Sequence, residues 1–157
     1  MNAIDLLIDD HERVKDILTR LSESTERAVK TRTELLQKLE MEITIHTQLE
    51  EQILYPAYKD AGGKEELKMF YEAKEEHRAV DSLVLPDLKV TEPSSVQFSG
   101  RVKVCKELLE HHIEEEESEM FPRARELFDE ARLEDMGQQM TELRNRLKKE
   151  FSASQAA

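Results

Sequence analysis

Two stretches of this chain carry histidine and carboxylate at a spacing suited to metal chemistry. His46-Thr47-Gln48-Leu49-Glu50-Glu51 runs on to Tyr55-Pro56, and His112-Ile113-Glu114-Glu115-Glu116-Glu117 runs on to Phe121-Pro122. Four residues of α-helix advance by about 400°, so His46 and Glu50, like His112 and Glu116, lie about 40° apart and about 6 Å along one face. Each pair can reach one metal ion. A second pair of histidines repeats in step: His11 follows Asp9-Asp10 and His77 follows Glu75-Glu76, with equal intervals to the next motif (46 − 11 = 35; 112 − 77 = 35). Four of the five histidines thus fall in two halves displaced by 66 residues (112 − 46 = 66).

Imidazole with carboxylate suits iron, manganese or zinc, whereas the thiolate-rich set of a structural zinc site cannot come from a chain with one cysteine. Four histidines with Glu50 and Glu116 exceed what one ion needs, so two ions with carboxylates between them fit the count. A single histidine on an apolar stripe is more often a core or surface residue than a ligand. The duplicated pairs argue otherwise, because burying these groups with nothing to satisfy them would cost several kcal/mol for each charge. Glu114 and Glu117 are expected on a solvated face. Glu115 and Glu119, which match Leu49 and Ile53 of the first half (115 − 66 = 49; 119 − 66 = 53), are expected in water at the bundle's open end. His111 reads as a boundary residue, and a regular helical wheel puts Tyr55 on the far side from His46.

The elements that carry these residues are helical. A first helix, from residue 2 or 3 to 23, has Asn2 as its cap and Ile4, Leu7, His11, Val14, Leu18 and Leu21 on one stripe. Thr31 and Glu34 form a capping-box signature for a second helix that ends before Gly62-Gly63, with Pro56 kinking its last turns rather than stopping it. A third helix starts near Lys64, turns Leu67, Phe70, His77, Val80 and Val84 inward, and ends at or shortly after Pro86. Ser94 with Gln97 is the capping box of a fourth, which turns Phe98, Val102, Cys105, Leu108, Leu109, His112 and Glu116 inward and runs to about Phe128. Leu133, Met136, Met140, Leu143 and Leu147 give a fifth helix one apolar face, to pack on the bundle or at a dimer interface. Antiparallel packing of the first four brings every candidate ligand to one level of the core.

These motifs and their register resemble the hemerythrin-like, HHE cation-binding family over residues from about 3 to 128. The resemblance implies an all-α, up-down-up-down four-helix bundle holding a non-haem di-iron centre with an oxo or hydroxo bridge. It implies His11, His46, His77 and His112 as metal ligands and Glu50 and Glu116 as carboxylates bridging the irons. Oxygen-carrying members have His-x-x-x-His on the third helix; here the second position is Asp81, expected to serve as an oxygen ligand, opposite Lys15 in the first half (81 − 66 = 15). The organisation expected is a bundle over 1–128, a C-terminal helix over 129–151 and a disordered tail over 152–157. The function implied is binding or sensing of dioxygen, peroxide or nitric oxide. The alternatives are a peroxide-decomposing or oxidase enzyme at the same centre, iron storage or buffering, and a metal-free helical interaction module.

Composition sets the outer bounds. A formal charge of −12 and a pI near 4.9 favour cations over nucleic acid or an anionic membrane as partners. No leader-like opening or membrane-length apolar run is present, so a cytoplasmic monomer or homodimer is expected. Cys105 matches Leu39 (105 − 66 = 39) and reads as a small buried hydrophobe.

Overall fold

The computed structural model describes residues 1–156, which form helices and short connections with no strand among them. The first rod of the bundle is α1 (Ala3–Glu23). The second joins α2 (Val29–Leu49), a turn of π-helix (Glu50–Leu54) and α3 (Tyr55–Ala61). The third joins α4 (Lys64–Ala79), a π-turn (Val80–Val84) and α5 (Leu85–Lys89). The fourth joins α6 (Val96–Glu115), a π-turn (Glu116–Met120) and α7 (Phe121–Leu127), and α8 (Glu130–Ala156) follows. The all-α bundle with an added C-terminal helix is the expected architecture.

The helix ends follow local chemistry, with small departures from expectation. Asn2 caps α1 by accepting from the Asp5 amide at 2.9 Å. The second rod starts at Val29, ahead of Thr31, because the Arg32 amide already bonds the Ala28 carbonyl at 2.9 Å. Ser95 rather than Ser94 caps the fourth, accepting from the Phe98 amide at 3.1 Å. The expected disordered tail is corrected for residues 152–156: nothing beyond Gly137 is glycine or proline, so α8 continues to Ala156, and Ala157 lies outside the described residues.

The three π-turns share one cause. Each begins six residues before a proline (56 − 50, 86 − 80 and 122 − 116), and each closes with an amide reaching back five residues: Tyr55 to Glu50, Leu85 to Val80, Phe121 to Glu116. Proline has no N–H for the carbonyl four residues back and its ring collides with it, so a wider turn lets the rod continue. The internal control is α1, which has Arg20 where the third rod has Pro86 (86 − 66 = 20) and runs as regular α-helix to Glu23.

Two apolar clusters fill the bundle. One holds Leu18, Leu39, Val80, Phe98, Cys105 and Leu109. The other holds Leu7, Ile45, Leu49, Tyr55 and Phe121 and is completed by Leu133, Met136, Met140 and Leu143 of α8, which packs on α1 and α2. A β-carbon at Gly137 would collide with the backbone of Met1 and Asn2, so this glycine lets α8 cross the start of the chain closely. Packing of α8 also explains the asymmetry of the halves. Ile45 and Leu49 are covered, whereas their counterparts His111 and Glu115, on the face α8 leaves bare, are polar. Leu67 and Leu108, expected inward, are exposed at 40% and 41%.

Candidate metal centre

The centre lies between the two apolar clusters, at one level of all four rods. His11, His46, Glu50 and Glu116 bring ligand atoms within 4.8 Å of one another, and so do Glu50, His77 and His112. All six residues are buried. Glu50 Oε1 stands 3.2 Å from His46 Nε2 and 3.1 Å from His77 Nε2. Glu116 Oε1 stands 3.1 Å from His11 Nε2 and 3.3 Å from His112 Nε2. Each carboxylate therefore faces one histidine of either cluster.

Every imidazole is held from behind by a further carboxylate. Asp10 meets His46 Nδ1 at 2.9 Å, Glu51 meets His77 Nδ1 at 2.8 Å, Glu76 meets His112 Nδ1 at 2.8 Å and Glu117 meets His11 Nδ1 at 2.6 Å. Rod one thus holds the histidine of rod two, two of three, three of four and four of one. A carboxylate on Nδ1 fixes the tautomer that presents Nε2 to the centre and raises its basicity as a ligand. Glu117 is here a correction: expected on a solvated face, it is half-buried against His11. The signal was present, since Asp10 and Glu76, and Glu51 and Glu117, fall in the same 66-residue register (76 − 10 = 66; 117 − 51 = 66). Glu114 is exposed as expected, and His111 stays outside the centre, pairing with Glu115 at 3.1 Å.

Tyr55 is the second correction. The π-turn after Glu50 closes over five residues, which returns Tyr55 to the face of Glu50 instead of the far side. Its hydroxyl donates to Glu116 Oε2 at 2.7 Å and lies 3.3 Å from His77 Nε2 and 3.4 Å from His112 Nε2. Its ring stacks on His77 at 5.3 Å, as that of its counterpart Phe121 does on His11 at 5.5 Å (121 − 66 = 55). Phenylalanine brings no oxygen, so only the His77–His112 half gains one. Asp81 is the third correction: it is exposed and belongs to neither cluster. Pro86 lies nine residues after His77 whereas Pro56 lies ten after His46, so the third π-turn starts one position earlier and takes Asp81 into its widened backbone.

The electrostatics call for positive charge at the middle. Burial alone would depress His46, yet the charges and hydrogen bonds of Glu50 and Asp10 outweigh it and raise its pKa to about 10. Burial likewise opposes protonation of His77 and His112, and their carboxylate partners raise both. Burial would raise Glu116, but the charge of His112 and its hydrogen bonds hold it well below the usual range. Burial, then Glu116 and Glu50, push Tyr55 well above its ordinary value, so the phenol keeps its proton. His46 Nε2 and Glu50 Oε2 are buried with no hydrogen-bond partner among the described residues. Unpartnered polar atoms among so many buried carboxylates fit a cation that would displace the histidine protons, and an all-nitrogen-and-oxygen donor set fits iron or manganese without thiolate.

One second carboxylate differs from the rest. Asp10 is fully buried, receives Arg144 Nη2 of α8 at 2.7 and 2.8 Å on its two oxygens, and also pairs with Arg13. Burial works against its charge, yet His46 and then Arg144 hold its pKa below the ordinary value. On the histidine side a cavity of about 240 Å³ adjoins the centre; its walls include all four histidines but not Glu50, Glu116 or Tyr55.

Comparison with known proteins agrees with this geometry. A family model described as the hemerythrin HHE cation binding domain matches residues 2–124. The chain resembles the crystal structure of a hemerythrin HHE cation binding domain-containing protein from Mycobacterium kansasii, with a TM-score of 0.80 and 28% identity over 99% of this chain and 91% of that one. It is also 26% identical over 125 residues, 80% of its length, to a curated protein named DNA nickase from Nostoc sp., of which it spans 34%.

Proposed function

The chain belongs to the hemerythrin HHE cation-binding family, and from that membership we propose that it is a non-haem di-iron protein that binds or senses dioxygen, peroxide or nitric oxide. The observation that carries the reading is the placement of Glu50 and Glu116, each facing a histidine of both clusters and so able to bridge two ions. His11 and His46 would hold one iron; His77 and His112 would hold the other, with the Tyr55 oxygen at hand. When bound, an iron pair supplies an electron source and sink beside a coordination position open to a small ligand. The chain's own residues do the rest. The four outer carboxylates fix the histidine tautomers, Tyr55 holds a proton at its hydroxyl toward Glu116, and the apolar clusters exclude water. Among the described residues no helix is long and apolar enough to cross a membrane.

The test is iron quantitation with an anaerobic-to-air optical titration of freshly purified protein. Two irons per chain and a near-ultraviolet charge-transfer band on oxidation are expected; a single tight zinc with no iron taken up on reconstitution refutes the reading. A second reading, peroxide decomposition or an oxidase reaction at the same pair, is favoured by the Tyr55 hydroxyl inside the centre, which keeps its proton and can hydrogen-bond a reacting oxygen. Steady-state oxygen evolution from peroxide separates the two. Two clusters serve a pair of ions rather than a store. The nickase name stays with its longer bearer, since 35 acidic against 23 basic residues repel a polyanion.

A further inference from the structure

We propose that the cavity beside the four histidines is a binding site for a neutral, largely apolar organic molecule about the size of a substituted benzene. Its volume is about 240 Å³. A dry apolar cavity of about 150 Å³ suffices to bind benzene, and a water molecule's share of space is about 30 Å³. A bridging oxygen and a bound diatomic, each allotted a water's share, leave most of the volume unused. The walls other than the histidines are chiefly Val14, Ile43, Val80, Leu109 and Ile113, which bond nothing polar and hold an apolar guest by contact and desolvation. Ala79 and Leu108 line the cavity and are also solvent-exposed, which places its mouth between α4 and α6. Glu75 and Glu76 stand in the same wall and repel anions, and both are already paired, with Arg78 and His112, which leaves the remaining apolar wall to a neutral guest. The claim to bind rests on these walls; the guest's position against a metal rests on the function proposed above.

Toluene is the probe, titrated calorimetrically into purified protein whose iron is counted in the same sample. One saturable toluene per chain is expected. Ala79→Phe, a plug at an exposed mouth position, should weaken binding at least tenfold, and Leu108→Trp should do the same from the opposite side. Leu83→Phe, exposed and outside the cavity walls, should leave it unchanged. Iron-loaded protein with no saturable toluene binding overturns the proposal, as does equal binding by wild type and both plugged variants. Toluene binding by protein that takes up no iron would support this site while refuting the di-iron reading.

Discussion

On the di-iron function proposed above, Arg144 should hold one iron more firmly than the other. It lies on α8, beyond the residues matched by the family model, yet donates to both oxygens of Asp10, which in turn fixes His46. Glu76, the counterpart of Asp10, has no such arginine clamp; beyond His112 its nearest basic side chain is the exposed His111 at 3.9 Å. Arg144→Met keeps the aliphatic stem and removes the charge. Breaking a buried ion pair costs about 3–5 kcal/mol, but Arg13 remains on Asp10, so about 2 kcal/mol of stability should go. For a chain of this length that lowers the unfolding midpoint by about 4–8 °C. Loss of the carboxylate behind a ligand weakens metal affinity by about 10- to 100-fold, so loosening Asp10 without removing it should cost at most about tenfold, and for the His11–His46 half alone. Chelator-driven release should therefore turn from near-uniform to clearly biphasic, one iron leaving early and the other at the wild-type rate. Arg144→Lys should be intermediate, since one ammonium retains the charge without the guanidinium's geometry. Unchanged release of both irons together with an unchanged midpoint would refute the coupling.

Three further outcomes follow from the same geometry. Tyr55→Phe places in the second rod the residue that position 121 already carries, so it should cost about 1.5–3 kcal/mol for the lost hydrogen bond to a charged carboxylate and keep both irons while altering the oxidised spectrum; an identical spectrum would exclude the phenol from the centre. Asp81→Ala should leave iron content and spectrum untouched, because its side chain is exposed outside both clusters; loss of an iron would restore Asp81 as a ligand. Chelator-stripped protein should lose stability as pH rises. His46 titrates near 6.5 unfolded and at about 10 folded, so its contribution is full below 6.5 and gone above 10, and stripped protein whose urea midpoint is flat between pH 7 and 10 would contradict the assigned charges.

The convergence of the four histidines, Glu50 and Glu116 was legible because a duplicated register fixes pairs of positions without any knowledge of packing. The rods were legible from apolar periodicity. Tyr55 and Asp81 were not, and for one reason: a wheel of constant pitch fails wherever proline widens a turn, and both residues lie at or just past such a turn. The prolines themselves were visible; their effect on rotation was not. The outer carboxylates were also in plain sight, as the acid before each first histidine and the second glutamate of each motif, but charge on a helix face usually means solvent. Arg32 was hidden differently. It is buried and donates to Pro93 and Ser24 carbonyls at 2.6 and 3.0 Å, tying two connections whose proximity only the folded chain reveals.

The closed circuit of carboxylates and histidines has an odd construction. Asp10–His46 and Glu76–His112 lie within a hairpin of two rods, whereas Glu51–His77 and Glu117–His11 pass from one hairpin to the other. Each hairpin thus exports one carboxylate and imports one, in equal measure. Two identical hairpins related by a twofold axis would satisfy each other's histidines as completely as the fused pair does. The linker across Gly62-Gly63 supplies proximity rather than chemistry, and a chain cut there should still reassemble its centre from the two fragments.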